Sequence, residues 1–431
     1  MLRPLVLLLA IATTVIGAEP SSSYRWWKGN LHTHSLWSDG DEYPEIICQW
    51  YKDHGYNFLA LSDHNIIADK ERWINVAKSR GGENAFAKYA ERFGPKWVEQ
   101  RTDTAGAIEV RLKMLSEYRS LTEEPGRFLL IRSEEISDRY LNAPIHLNAT
   151  NLSTAIKPQG GGSIVEVMQN NINAVVAQRE KTGIAMIPHI NHPNFGWAVT
   201  AEELARVEHE QFFEVYNGHP SVHNEGDATH ASIDRVWDIV LTLRHAQGLP
   251  PLFGLGSDDS HHYHAVTPGK KQSRSGRGWI MVRAKNLTPE DLIAAMELGD
   301  FYASSGVTLK DVRLEKNTIT IEIAPEQGCT YQTEFIGTRK GYDPSSTPLL
   351  GKDGETLRVT RQYSADIGAT LAAIKGTSAA YTFKGDELYV RARITSSKPK
   401  PNASSDGEFE RAWTQPMTPE AGGKSDVRSK K

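Results

Sequence analysis

Short apolar runs recur through the first two-thirds of the chain, each closing on polar side chains: FLALSDH (58–64), RFLLIRSEE (127–135), IAMIPHI (184–190), FFEVYNG (212–218) and LFGLGSD (252–258). Between them stand stretches with apolar residues at helical spacing, at 42–54, 106–121, 163–182, 229–247 and 288–298. Strands that are apolar on both faces, separated by helices, predict a parallel sheet covered on both sides. At this length a barrel of repeated β/α units is the natural closed form, with a flat doubly wound sheet as the alternative. The charged stretch 66–125 is long for one connection and is expected to be a helical cap inserted beside the barrel.

After Asp311 the period drops to two. NTITIEI (317–323), TEFIG (333–337), TLRVTRQY (356–363), AAYTFKG (379–385) and ELYVRARITSS (387–397) alternate apolar with polar residues. They predict half-buried antiparallel strands and a small β-sandwich-like domain. AWTQPM (412–417) reads as one more returning strand. The division expected is a barrel over 24–308, a β domain over 309–417 and a disordered tail over 418–431, where no apolar periodicity survives.

Composition changes this picture little. The 431 residues are 39% hydrophobic and 24% charged, and 49 Lys and Arg against 53 Asp and Glu give a net charge of −4. That balance provides no electrostatic footprint for nucleic acid or an anionic membrane. At the N-terminus, Arg3, an apolar run from Leu5 and small residues up to Ala18 predict a secretory signal peptide over 1–18, so the protein is expected to be secreted or periplasmic. No other segment looks transmembrane. Two cysteines, Cys48 and Cys329, form neither a disulfide framework nor a zinc-finger pattern, and are expected to be buried free thiols.

The chemistry lies in the first part, because all 15 histidines fall between His32 and His264. NLHTHSLWSDG (30–40) sets His32 and His34 two apart, so that on an extended strand both rings face one way and can share a cation. Asp39 follows in a turn, and His64 closes the FLALSDH strand. Glu134 and Glu135 follow FLLIRS, and alternation turns one of them inward without saying which. APIHLNA carries His146, PHINHPN offers His189 and His192, and GLGSDDSHHYH supplies Asp258, Asp259 and His261. Strand after strand thus ends in His, Asp or Glu on the rim where α/β folds build their sites. About nine such groups are too many for one ion and suit two or three. Imidazole with carboxylate fits Zn²⁺, Mn²⁺ or Fe²⁺, and the lack of thiolate argues against structural zinc or an iron–sulfur cluster.

In their order along the chain, H-T-H-S…S-D-G, S-D-H-N, a strand-end glutamate, later histidine motifs and a final D-x-H resemble the polymerase-and-histidinol-phosphatase (PHP) family, over roughly 26–307. RGWIMVRAKNLTPEDLIAAMELGDFYASSGV (277–307) is similar to a secreted branch of metallohydrolases with a C-terminal β domain. The resemblance implies a distorted (β/α)7 barrel with up to three metal ions. It implies that His32, His34 and Asp259 hold one ion, that Glu135 bridges to a second completed by His146 and His192, and that Asp39, His64 and His261 hold a third. Glu134, His189 and Asp258 stand as rivals to their neighbours. Asp63 is expected to orient a neighbouring ligand, and Asn65, Asn191, Asn194, Tyr216 and Asn217 are candidate substrate contacts.

The activity expected is hydrolysis of a small-molecule phosphoester by a metal-activated hydroxide, with no protein nucleophile. The same metals acting on a carbamate or carboxyl ester are the alternative, and a non-catalytic metal- or glycan-binding protein is the alternative of another class. A role on nucleic acid is not expected, and neither is stable membrane insertion once the leader is removed.

Overall fold

The computed structural model describes residues 24–264 and 271–419. The leader expected over 1–18 lies outside them, as does all but the first two residues of the tail expected over 418–431. The chain is a mixed α/β structure built on one large sheet with few helices. In spatial order its strands are Phe253–Ser257, Phe212–Asn217, Ile187–Ile190, Ala143–Thr150, Leu129–Tyr140, Phe58–Leu61, Arg25–Asn30, Trp279–Ala284, Phe301–Ser304, Phe409–Thr414, Glu387–Pro399, Tyr331–Arg339 and Ala369–Lys375.

The apolar runs become strands where expected, and they pair in parallel at both ends of the first part: Arg25–Asn30 with Phe58–Leu61, and Phe212–Asn217 with Ile187–Ile190 on one side and Phe253–Ser257 on the other. The expectation of a purely parallel sheet is corrected between them. Leu129–Tyr140 runs past Glu135 and turns back as Ala143–Thr150, which pairs antiparallel on both sides. Alternation on both arms, with Ile136, Ile145 and Leu147 buried, makes a hairpin of this segment rather than a crossover.

Local chemistry sets the helix limits. Ser163 accepts from the Glu166 N–H to start Ile164–Thr182, and Gly183 ends it with φ 69°. Ser232 and Thr288 cap Ile233–Ala246 and Pro289–Glu297 in the same way. The apolar faces of the two longest helices meet the sheet in one core that includes Met168, Ile172, Phe213 and Trp237. Burying each such side chain contributes about 1.5–3 kcal/mol.

Two further expectations are corrected. The 66–125 segment is not purely helical: Arg72–Asn75, Gln100–Thr102 and Ile108–Leu112 form a three-stranded antiparallel sheet beside the helices Gly82–Phe93 and Leu115–Thr122. In AIEVRL the apolar residues fall every second position, a strand period within a charged stretch. In the C-terminal part only Gln362–Tyr363 of 356–363 is strand, while Leu309–Glu315 and Ala369–Lys375 are added. That part also continues the main sheet, because Phe409–Thr414 pairs with Phe301–Ser304. A second sheet of Leu309–Glu315, Thr318–Ile323 and Ser378–Thr382 shares one apolar core with it through Ile321, Phe335, Tyr381 and Val390. Both cysteines are free, and Cys329 is half-buried rather than buried.

Candidate metal centre

Beyond their ends the parallel strands bend towards one another. The Asp259 N–H donates to the His32 carbonyl at 2.9 Å, and the His34 N–H donates to the Ser260 carbonyl at 2.9 Å. These bonds tie the first strand in the sheet order to the seventh, at the end that carries the histidines.

Around this junction stand His32, His34, Asp39, His64, Glu135, His146, His192, Asp259 and His261, all nine residues of the ligand set that the motifs imply. Their donor atoms fall into groups lying within 4.8 Å of one another: His34, Asp39, His64 and His261; His32, His34 and Glu135; His32, His192 and Asp259; Glu135, His146 and His192. Glu135 is the hub. Its Oε1 lies 3.4 Å from His32 Nε2, 3.0 Å from His146 Nδ1 and 3.4 Å from His192 Nε2. Its Oε2 lies 3.5 Å from His34 Nε2 and 2.7 Å from His64 Nδ1. Asp259 Oδ1 is 3.3 Å from His32 Nε2 and 3.2 Å from His34 Nε2, while Asp39 Oδ1 is 3.4 Å from His64 Nε2 and 3.3 Å from His261 Nε2.

Most of these separations are long for hydrogen bonds. They do match the roughly 3.4 Å between two ligand atoms that each lie about 2.1 Å from a shared ion in tetrahedral geometry. His32 Nε2 and His34 Nε2 are buried and have no hydrogen-bond partner, the condition that an ion would relieve. The residues present therefore fit divalent cations held by nitrogen and oxygen.

Electrostatics divide the histidines. Burial disfavours charge on His32, yet the carboxylates of Asp259, Glu214 and Glu135 outweigh it and hold the ring well above its ordinary range. Burial, with the neighbouring His261, drives His34 down to about 3. His64 resists its burial through Glu135 and Asp39 and rises to about 9. Burial likewise opposes the ionised forms of Glu135 and Asp259, but the histidines around them hold both well below the usual carboxylate range.

The rivals separate by direction. Glu134 faces the opposite side of its strand, where Oε1 accepts from the Ile156 N–H at 2.5 Å. Asp258 is enclosed by donors, the N–H groups of Gly276, Arg277 and Gly278 and the Tyr51 hydroxyl, and so braces the turn that presents Asp259. His189 is buried beside Glu214, its Nε2 3.8 Å from Oε1, in a group with His32 rather than with Glu135. Asp63 accepts from the Ser35 N–H and hydroxyl and the Ser38 hydroxyl, so it orders the loop between His34 and Asp39.

All five candidate substrate contacts use polar atoms on protein, and four of them are buried. Asn191 donates to Glu135 and Asn148, Asn194 to the carbonyls of His223 and Ala231, Tyr216 to Glu408, and Asn217 to Glu214 and Asp259. Asn65 is exposed, and its side-chain amide pairs with the Ser137 backbone.

Sequence reasoning missed two residues. Glu214 accepts from His32 Nδ1 at 2.7 Å, Ser257 Oγ at 2.5 Å, the His192 N–H at 2.8 Å and Asn217 Nδ2 at 2.8 Å. Its signal was a lone carboxylate in the apolar run FFEVYNG, fully buried here. His219, two residues past that strand, stacks edge-on to His261 at 5.5 Å. Burial and the charges of the neighbouring histidines lower its ring to about 4. GHP gave it no spacing partner.

No protein-family model matches the chain, and no curated protein does. Among the solved structures similar to it, one is a two-domain protein from Bacteroides vulgatus containing a predicted PHP-like metal-dependent phosphoesterase, 14% identical over 93% of this chain and 100% of that one, with a TM-score of 0.38. Another is assigned as a metal-dependent phosphoesterase from Bifidobacterium adolescentis, 12% identical over 57% of this chain and 92% of that one, with a TM-score of 0.27.

Proposed function

We propose that the protein is a metal-dependent phosphoesterase of the PHP type with a multinuclear site. The observation that carries this reading is the Glu135 carboxylate, which both its oxygens set among five histidines at 2.7–3.5 Å. In the proposed site His32, His34 and Asp259 hold one ion, Glu135 bridges to a second with His146 and His192, and Asp39, His64 and His261 hold a third. Bound divalent ions supply Lewis acidity, which activates water near neutral pH and offsets charge on a phosphoryl group. The chain's own part is to fix the donors. Glu214 takes the Nδ1 proton of His32 and so turns Nε2 inward, and Asn191 holds Glu135.

Charge favours an anionic substrate. Asp39, Glu135, Asp259 and Glu214 bring four negative charges, and three dications would leave an excess of positive charge at the mouth. A neutral carbamate gains less from that excess than a phosphoester does.

We read residues 24–308 as the hydrolase unit and 309–417 as a β domain joined to it edge to edge. The bonds between His34 and Ser260 and between Asp259 and His32 support closure of the first unit as a distorted barrel. A cleaved leader would put the chemistry outside the cytoplasm.

The test is turnover of p-nitrophenyl phosphate, bis(p-nitrophenyl) phosphate and an aryl carbamate by protein stripped with chelator and reloaded with Zn²⁺ or Mn²⁺. Phosphoester turnover that returns with metal and falls at least about 100-fold in His34→Ala is expected. Carbamate turnover alone would replace the phosphoester reading, and no turnover by loaded protein would favour a binding protein.

A further inference from the structure

His219 stands beside His261 but belongs to none of the metal-holding groups among the described residues. Its position is fixed by bonds, not by packing alone. The His219 N–H donates to Asn217 Oδ1 at 2.7 Å, and the same Asn217 side chain donates to Asp259 and Glu214. Gly218, just before it, leaves no room for a side chain, since a Cβ would sit 2.6 Å from Arg277 Cβ and 2.9 Å from the Asp258 carbonyl oxygen. The ring is 5.5 Å from His261 on one side and 6.2 Å from Phe195 on the other. Phe195 in turn lies 5.1 Å from His192 and 6.2 Å from His146. His219 therefore lies between His261, of one proposed ion group, and Phe195, which packs on His192 and His146 of another, and it is half-buried.

The ring's protonation pattern follows from one contact. Nδ1 accepts the Ser221 N–H at 3.1 Å. A nitrogen that accepts a backbone N–H carries no proton, so the ring proton resides on Nε2. Nδ1 is the one ring nitrogen of His219 with a hydrogen bond among the described residues, so Nε2 is left to solvent. A fixed donor with a free N–H beside a site for an anionic substrate is the arrangement that stabilises charge on a reacting oxygen.

We propose that His219 donates a hydrogen bond from Nε2 to a non-bridging oxygen of the bound phosphoryl group and so holds it in register with the ions. This rests on the phosphoester reading above and adds a substrate-touching residue outside the metal ligands.

The test uses full-length protein loaded with Zn²⁺ or Mn²⁺, and reads inorganic phosphate affinity by calorimetry beside metal content and thermal melting. Gln puts an amide nitrogen close to the place of Nε2, Phe keeps the ring shape without a donor, and Asn is too short to reach. His219→Phe and His219→Asn are expected to bind phosphate about tenfold or more weakly, as loss of a hydrogen bond to a charged group implies, with metal content unchanged. His219→Gln is expected to stay within about threefold of wild type. Phosphoester turnover should fall about 100-fold in the Phe variant and largely return in the Gln variant. Should the Phe variant not fold, the Asn and Gln pair decides alone. Equal phosphate affinity in all four proteins would overturn the proposal, and so would loss of an ion from the Phe or Asn variant, which would make His219 a ligand. Wild-type protein that binds no phosphate would sink the phosphoester reading and this proposal together, whereas failure of the proposal alone leaves wild-type binding intact.

Discussion

Burial pushes the Glu134 carboxyl up to about 7, against the one backbone donor that Ile156 supplies. A carboxyl whose pKa rises on folding favours the folded state while protonated. Its contribution is whole below about 4.5 and is lost as pH climbs through about 7, a span worth about 3 kcal/mol. Glu134→Gln should therefore show a flatter stability profile than wild type in urea unfolding at pH 4.5 and pH 8, by about that amount, and keep its metal. Coincident profiles would mean that Glu134 is ionised in the folded protein. At this scale much was legible. The His-x-His pair and the D-x-H pair advertise themselves by spacing. The choice between Glu134 and Glu135 did not, because it depends on which strand face meets the site. Asp258 and Asp259 differ only in turn geometry: Asp259 has φ 48°, a left-handed conformation that swings its carboxylate away from its neighbour's.

Elements deliver these residues through loop ends that one buried carboxylate binds together. Glu214, on Phe212–Asn217, ties His32 just past Arg25–Asn30, the His192 backbone beyond Ile187–Ile190 and Ser257 at the end of Phe253–Ser257. Its own ionisation is maintained despite burial by His32 and His189. Glu214→Gln keeps the shape but weakens the grip on the His32 proton. Such a change should cost about 10–100-fold in metal affinity, with the fold intact by circular dichroism. Metal affinity equal to wild type would show that His32 needs no orienting partner. The strands that carry ligands were readable because both their faces are apolar. The antiparallel arm Ala143–Thr150 was not, because its alternation is short and its partner lies on either side. The strands in 66–125 were hidden by charged residues on their exposed face, as with Glu109 and Arg111 around Val110.

The whole molecule is held together across the junction that sequence suggested as a domain boundary. Arg391, fully buried on Glu387–Pro399, makes a paired contact with Asp238 on helix Ile233–Ala246 at 2.8 and 2.7 Å, and Nη1 reaches Asp234 at 3.0 Å. Trp413 and Tyr389 pack in the same core as Trp237 and Phe213. Removing Asp238 leaves the buried guanidinium with Asp234 as its one carboxylate partner, so Asp238→Ala should lose about 3 kcal/mol in denaturant unfolding, an effect too large for a loosely tethered appendage. A loss under about 1 kcal/mol, as exposed pairs give, would mean that the C-terminal part moves freely. The change of period near Asp311 announced new strands, but nothing in a single sequence says that Phe409–Thr414 will pair with Phe301–Ser304, since contacts across about a hundred residues leave no local pattern.

Calorimetric titration of chelator-stripped protein with Zn²⁺ or Mn²⁺ at pH 7, paired with elemental analysis, tests the multinuclear site most directly. Two or three ions per chain are expected, with release of protons on binding because, despite burial, Glu135 and Asp39 raise His64 to about 9 and the surrounding carboxylates raise His32 in the same direction, and no more than one ion in Glu135→Ala. Less than one ion per chain in wild-type protein, or full occupancy in Glu135→Ala, would contradict the multinuclear site.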